Sequence, residues 1–131
     1  MSAAERRRAA EILIRSLGTA RIGLGSAIVV ATDPALAALG FERSEPLTRA
    51  LARLAGSRDM ALGAIALTAP GRDGLRRAAL AGAACDASDA VAFGLAAIER
   101  GRLDRATLGG VGSALVATAA GLWALAVLGR E

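Results

Sequence analysis

At 131 residues the chain makes one domain, and with 54% hydrophobic residues, 21% charged residues and a mean hydropathy of +0.47 it is more apolar than water-soluble domains usually are. Sixteen basic residues, all arginine, outweigh twelve acidic ones to leave a net charge of +4, but the arginines are scattered and two Phe and one Trp offer little to stack on bases, which argues against nucleic acid. The lone Cys85 excludes an internal disulfide, and without histidine or a cysteine cluster neither a metal site nor a cofactor site can be read.

Aromatic residues make up only 2%, so a core must be built from Ala, Leu, Ile, Val and Gly. Small residues let helix backbones approach closely, which suits a membrane bundle. Arginine next to apolar segments also suits anionic lipid headgroups. An Ala/Arg coding bias contributes to this composition but does not explain the long uncharged runs.

The first predicted span covers about 9–31, after the basic run Arg6, Arg7 and Arg8. Glu11 and Arg15 stand at i,i+4, a spacing that supports a helix. Arg15 is expected to snorkel towards the near interface, whereas Arg21 is too close to the middle to do so. A secretory signal peptide is the competing reading, with a cleavage pattern at Ala35-Leu36-Ala37. Its n-region would contain Arg15 and Arg21 and be abnormally long, which favours a retained helix. Thr32-Asp33-Pro34 should stop that helix, with one or two turns between Ala35 and Leu39.

Ser44-Glu45-Pro46 reads as a helix start with Ser44 as N-cap. The second span, 47–69, carries Arg49 and Arg53 near its entrance and Arg58-Asp59 at its centre. Pro70 to Gly74 reads as a turn. The third span, 75–98, has Arg76 and Arg77 at its mouth and Asp86 and Asp89 midway. A charged loop runs from Glu99 to Arg105. The fourth span, 106–129, holds no charge and is transmembrane on hydropathy alone, with Trp123 towards its far end. The predicted fold is all-α, a four-transmembrane-helix bundle with short loops. A soluble Ala-rich bundle would need a polar face on the last helix, and none is there.

Arg21, Arg58, Asp59, Asp86 and Asp89 all fall near the middle of their spans. Unpaired, five such charges would cost roughly 12–17 kcal/mol on insertion scales, so they must meet each other or reach water inside the bundle. Gly18, Arg21 and Gly25 share one face of the first helix, and Gly56, Asp59 and Gly63 repeat that spacing on the second. On the third, Gly82, Asp86 and Asp89 share a face with Phe93. Flanking glycines let a neighbour approach, so these five (Gly18, Gly25, Gly56, Gly63 and Gly82) are the predicted packing positions. The expected pairs are Arg21 with Asp59 or Asp86, and Arg58 with Asp89. Two arginines against three aspartates leave a surplus carboxylate. Ser57 and Ser88 are within reach of a ligand but by default bond their own helix, and Cys85 reads as a small packing residue.

The pattern Arg53…Gly56-Ser57-Arg58-Asp59…Leu62-Gly63, followed by Asp86-Ala87-Ser88-Asp89, resembles a group of small four-helix bacterial membrane proteins of actinobacterial type. That group is known as a domain of unknown function. The resemblance implies an integral membrane location and four spans, and it implies no activity and no catalytic residue.

Three functional readings follow. In the first, the Arg/Asp cluster forms a binding or acid/base site for a hydrophobic small molecule, one carboxylate donating a proton while an arginine-paired one stays ionised. In the second, the charges only hold together a structural or partner-binding subunit. In the third, they relay protons in a minimal transporter assembled as a homo-oligomer. Whether the protein is an enzyme is left open between them, and the partners considered are membrane lipid, a hydrophobic small molecule and a second copy of the chain. The expected location is the bacterial cytoplasmic (inner) membrane, multi-pass. An N-terminus inside would place Arg6, Arg7, Arg8, Arg15, Arg72, Arg76, Arg77 and Arg130 there, against Arg43, Arg49, Arg53, Arg100, Arg102 and Arg105 outside.

Overall fold

The computed structural model describes residues 1–41 and 45–129, and over these the chain is helical. In chain order the helices are α1 (Ala3–Val30), α2 (Thr32–Ala38), α3 (Pro46–Thr68), α4 (Gly71–Arg100) and α5 (Arg105–Gly129). Arg43, Ser44 and Arg130 lie outside the described residues. The N-cap position of α3 belongs to Glu45, which makes no side-chain capping bond.

Several boundaries differ from the sequence expectation, each for a local reason. The first helix starts at Ala3 because Ser2 and Glu5 form a capping box: Ser2 Oγ accepts the Glu5 N–H at 3.2 Å and Glu5 Oε2 accepts the Ser2 N–H at 2.5 Å. Pro34 does not simply end a helix. It sits in the first turn of α2, where its missing N–H leaves no bond unmade. The expected turn at Pro70–Gly74 is shorter, with the reversal made by Ala69 and Pro70. Gly71, at φ +57°, already starts α4, and the Pro70 carbonyl accepts the Gly74 N–H at 3.2 Å. Likewise Glu99 and Arg100 are the last turn of α4, which Gly101 ends in the left-handed region at φ +62°. The loop is only Gly101–Asp104.

The helices form two antiparallel hairpins, α1 with α3 and α4 with α5, joined mainly where α1 meets α5. Between the α1/α3 pair, Gly18 faces Gly63 and Gly25 faces Gly56. A Cβ at Gly63 would lie 2.5 Å from the Gly18 carbonyl oxygen, and one at Gly56 2.9 Å from that of Gly25. The two backbones are therefore in contact, which only glycine permits. Two glycines not singled out from sequence close the second hairpin: Gly121 against Ala79 and Ala83, and Gly110 under the Phe93 ring, 2.7 Å from where a Cβ would stand. The apolar core lies towards the chain termini and joins all four long helices through Ala10, Ile14, Ala66, Leu75, Ala79, Ala124 and Leu128.

Large apolar side chains face outward. Val30, Leu54, Val91, Ile98, Leu115 and Val116 are exposed, whereas the core is mostly alanine. Among the described residues three helices, α1, α4 and α5, are long and apolar enough to cross a membrane, and only 17–22% of their most apolar stretches is buried in the bundle. That corrects the expectation of four such spans. At 23 residues α3 has the length, but Arg49, Arg53, Arg58 and Asp59 make it too polar to qualify on composition.

At the far end from the termini, Asp104 caps α5. Its Oδ1 accepts the Thr107 N–H at 2.8 Å and the Thr107 hydroxyl at 2.7 Å, while Arg100 Nη1 lies 3.0 Å from Oδ2. The Thr107 N–H above all, then its hydroxyl and Arg100, holds the Asp104 carboxyl below the usual aspartate range. A lowered folded-state pKa gives stability that is complete above the unfolded value and lost as pH falls through the folded one. Asp104→Ala should accordingly fray the first turn of α5 at neutral pH, read as faster amide exchange at Thr107 and Leu108. The difference from the unsubstituted protein should vanish at acid pH well below the ordinary aspartate value of about 3.9.

Candidate functional site

The five mid-span charges converge into one alternating chain: Asp86, Arg21, Asp59, Arg58, Asp89. Arg21 on α1 reaches both predicted partners, with Nη1 3.1 Å from Asp59 Oδ1 and Nη2 2.5 Å from Asp86 Oδ2. Its Nη2 also donates to the Gly82 carbonyl at 3.4 Å. Arg58 on α3 grips Asp89 on α4 in a bidentate pair at 2.9 and 2.6 Å. The same Nη2 of Arg58 lies 3.2 Å from Asp59 Oδ1. One oxygen of Asp59 thus serves both guanidiniums, which makes it the centre of the chain.

The chain crosses the seam between the two hairpins, with Arg21, Arg58 and Asp59 on one side and Asp86 and Asp89 on the other. The backbones of α3 and α4 approach only sparsely there, so long side chains span what backbone packing leaves open. Burial falls along the chain: the Asp86 and Arg21 side chains are 10% and 13% exposed, those of Asp89 and Arg58 32% and 36%. Arg58 Nε is buried with no hydrogen-bond partner, the one such side-chain atom among the described residues.

Gly82 differs from the other four predicted packing glycines. A Cβ there would meet only Arg21 Nη2, at 3.5 Å, an ordinary contact. Its part is to offer a carbonyl to Arg21, not to admit a helix. Phe93, four residues on from Asp89, covers Gly110 of α5. Ser88 bonds back to the Ala84 carbonyl at 2.9 Å, and Ser57 is exposed.

Other arginines tie helix ends. Arg15 donates to the Leu67 carbonyl at 2.6 Å besides pairing with Glu11, so its guanidinium serves the end of α3 instead of only the interface. Arg72 Nε donates to the Leu128 carbonyl at 2.6 Å, and Arg53 Nε to the buried Thr32 hydroxyl at 2.9 Å. The contacts of Arg15 and Arg72 join free carbonyls at helix C-termini to donors on neighbouring helices, and sequence spacing carries no signal of them.

Beside Arg21 and Asp86 is a cavity lined by Ile14, Leu17, Leu62 and Ala117 among others, of about 20 Å³. That is room for a water molecule and far below the ~300–1,000 Å³ of a small-molecule site. An arginine separates each carboxylate from the next, and among the described residues no His, Cys, Asp or Glu group gathers as a metal site would. No family model matches the chain, and no curated protein or solved structure is similar to it.

Removing one member of a buried ion pair strands the other and costs about 3–5 kcal/mol. Asp59→Asn should destabilise by that amount, whereas Asp89→Asn, whose partner is a third exposed, should cost about 1 kcal/mol. Equilibrium unfolding in detergent measures both. A second contrast isolates the glycines: Gly63→Ala should destabilise by about 1–3 kcal/mol through overpacking. Gly82→Ala should be neutral or stabilise by up to about 1 kcal/mol.

Proposed function

We propose that this is an integral membrane protein of the bacterial cytoplasmic membrane, with α1, α3, α4 and α5 all crossing the bilayer. Its role is that of a structural or partner-binding membrane subunit, in which the Arg/Asp chain locks two helical hairpins together. The position of that chain supports the membrane reading. Asp86 and Asp89 lie about 11 residues from Arg76 and Arg77 and about 12 from Glu99 and Arg100, or ~16–18 Å along α4 in either direction. With a hydrocarbon core of ~30 Å, centring the ion chain puts both charged rims at the headgroups. Asp59 is near the middle of α3 as well, whereas Arg21 lies in the C-terminal half of α1, so the N-terminal turns of α1 with Arg6, Arg7 and Arg8 extend beyond that core. Partnering on both flanks makes α3 compatible with hydrocarbon despite its charges.

The observation that carries the role is that all five charges are paired with one another beside a cavity of only about 20 Å³. A lipid-like ligand would have to part the hairpins to reach Asp86. No apolar molecule should therefore be held at the Arg/Asp chain: any ligand of the purified protein seen by native mass spectrometry should be retained in Asp89→Asn, and Asp59→Asn should lower thermal stability without releasing one. A bound molecule released by Asp89→Asn at unchanged stability would favour the ligand-site reading instead.

Both chain termini and the α3–α4 turn share one end of the bundle. Among the described residues that end holds Arg6, Arg7, Arg8, Arg15, Arg72, Arg76 and Arg77 against Glu5, Glu11 and Asp73. The opposite end holds Arg49, Arg53, Arg100, Arg102 and Arg105 against Asp33, Glu45, Glu99 and Asp104. The arginine excess supports a cytoplasmic N-terminus. In a Cys85→Ala background, Ala3→Cys should be shielded from an impermeant thiol reagent in intact cells, and Arg102→Cys labelled. The reverse pattern would invert the topology.

A further inference from the structure

Arginines at both ends of the bundle are tied to partners, Arg15 and Arg72 at the terminal end among them, but Arg76 and Arg77 are held far less. At the end away from the termini, Arg100 and Arg102 lie 3.0 and 3.7 Å from Asp104, Arg49 lies 3.7 Å from Asp33, and Arg53 donates to Thr32. At the terminal end, Arg76 has only a 4.0 Å approach to an Asp73 that is 79% exposed, and Arg77 has no ion-pair partner among the described residues. Both arginines are exposed on the first turns of α4. Between them and α5 runs a groove of about 250 Å³, lined by Asp73, Arg76, Arg77, Leu80 and Leu125.

The lining is graded along the helix. Leu80 stands one turn further into α4 than Arg76 and Arg77, and it is 60% exposed. A pair of cations thus sits over an apolar wall, and the placement of the ion chain puts those cations at headgroup depth. Guanidinium groups bind phosphate with paired, charge-assisted hydrogen bonds. Basic pockets between membrane helices on the cytoplasmic side suit anionic headgroups. We infer that the α4/α5 groove binds one anionic phospholipid of the cytoplasmic leaflet, its phosphate on Arg76 and Arg77 and an acyl chain along Leu80 and Leu125. The inference rests on the membrane reading proposed above.

The test is native mass spectrometry of the full chain in detergent, titrated with phosphatidylglycerol or phosphatidylcholine. One phosphatidylglycerol should bind at least tenfold more tightly than phosphatidylcholine. Arg76→Gln/Arg77→Gln should abolish that preference at unchanged thermal stability, Arg76→Lys/Arg77→Lys should keep most of it, and Arg102→Gln/Arg105→Gln at the other end should leave it intact. Equal binding of the two lipids, or undiminished preference in the Gln double variant, overturns the proposal. So does full displacement by millimolar inorganic phosphate, since it would mark a free-anion site and not a lipid site. Alkaline carbonate extraction separates the premise from the inference. Protein released from membranes sinks the membrane reading and this proposal together, whereas protein retained but without lipid preference sinks this proposal alone.

Discussion

A guanidinium or carboxylate in the middle of a bilayer has no water to solvate it, and each must find an opposite charge within reach or make its helix unstable there. In the proposed membrane arrangement the chain from Asp86 through Arg21, Asp59 and Arg58 to Asp89 answers that requirement, and much of the architecture follows from its pairing. Arg21 meets the short side chain of Asp59 across an interface where the α1 and α3 backbones are in contact. That explains why Gly18, Gly25, Gly56 and Gly63 line their interface. Because the partners lie on both hairpins, the chain also joins the two halves where α3 and α4 are too far apart to pack. The electrostatic constraint and the packing constraint have the same solution. Three carboxylates share two guanidiniums, and the better-buried end of the chain lies next to a cavity that has room for a single water.

The distribution of bulk matches this picture. Leucine, isoleucine and valine cover the outside, and alanine, glycine and charges fill the inside. In water the outer surface would be one large apolar patch. In lipid it needs no cover, and close backbone approach replaces the hydrophobic effect as the source of helix association.

Much of this was legible from residue spacing. Charges at mid-span, glycines at helical intervals beside them, and the pairing of Arg58 with Asp89 can be argued from the residues alone. That Arg21 takes both Asp59 and Asp86 cannot, because it depends on how far α4 is shifted and rotated against α1. The different part played by Gly82, and the contact of Phe93 with Gly110, have the same origin: a helical face can be read from sequence, but not which neighbour it meets. Helix ends were displaced where a cap decides them, as at Ser2 and Glu5, or where Pro70 compresses a turn. The arginines that reach the carbonyls of Leu67 and Leu128 were invisible for a different reason. Their acceptors are backbone atoms, and any residue supplies those.

The polarity of α3 bears on the order in which the protein is made. Arg21 precedes Arg58 and Asp59 in the chain and is available to Asp59 as soon as the first hairpin forms. Asp89, the bidentate partner of Arg58, comes 31 residues later. During synthesis α3 therefore has a cation to satisfy before the helix that satisfies it exists. In the proposed four-crossing arrangement its stable release into lipid would wait on α4, and the second and third crossings would be completed as a unit. The short α3–α4 turn at Ala69 and Pro70 keeps the two helices close enough for that to happen. Insertion of a bundle arranged in this way would be a cooperative event and not a succession of independent crossings.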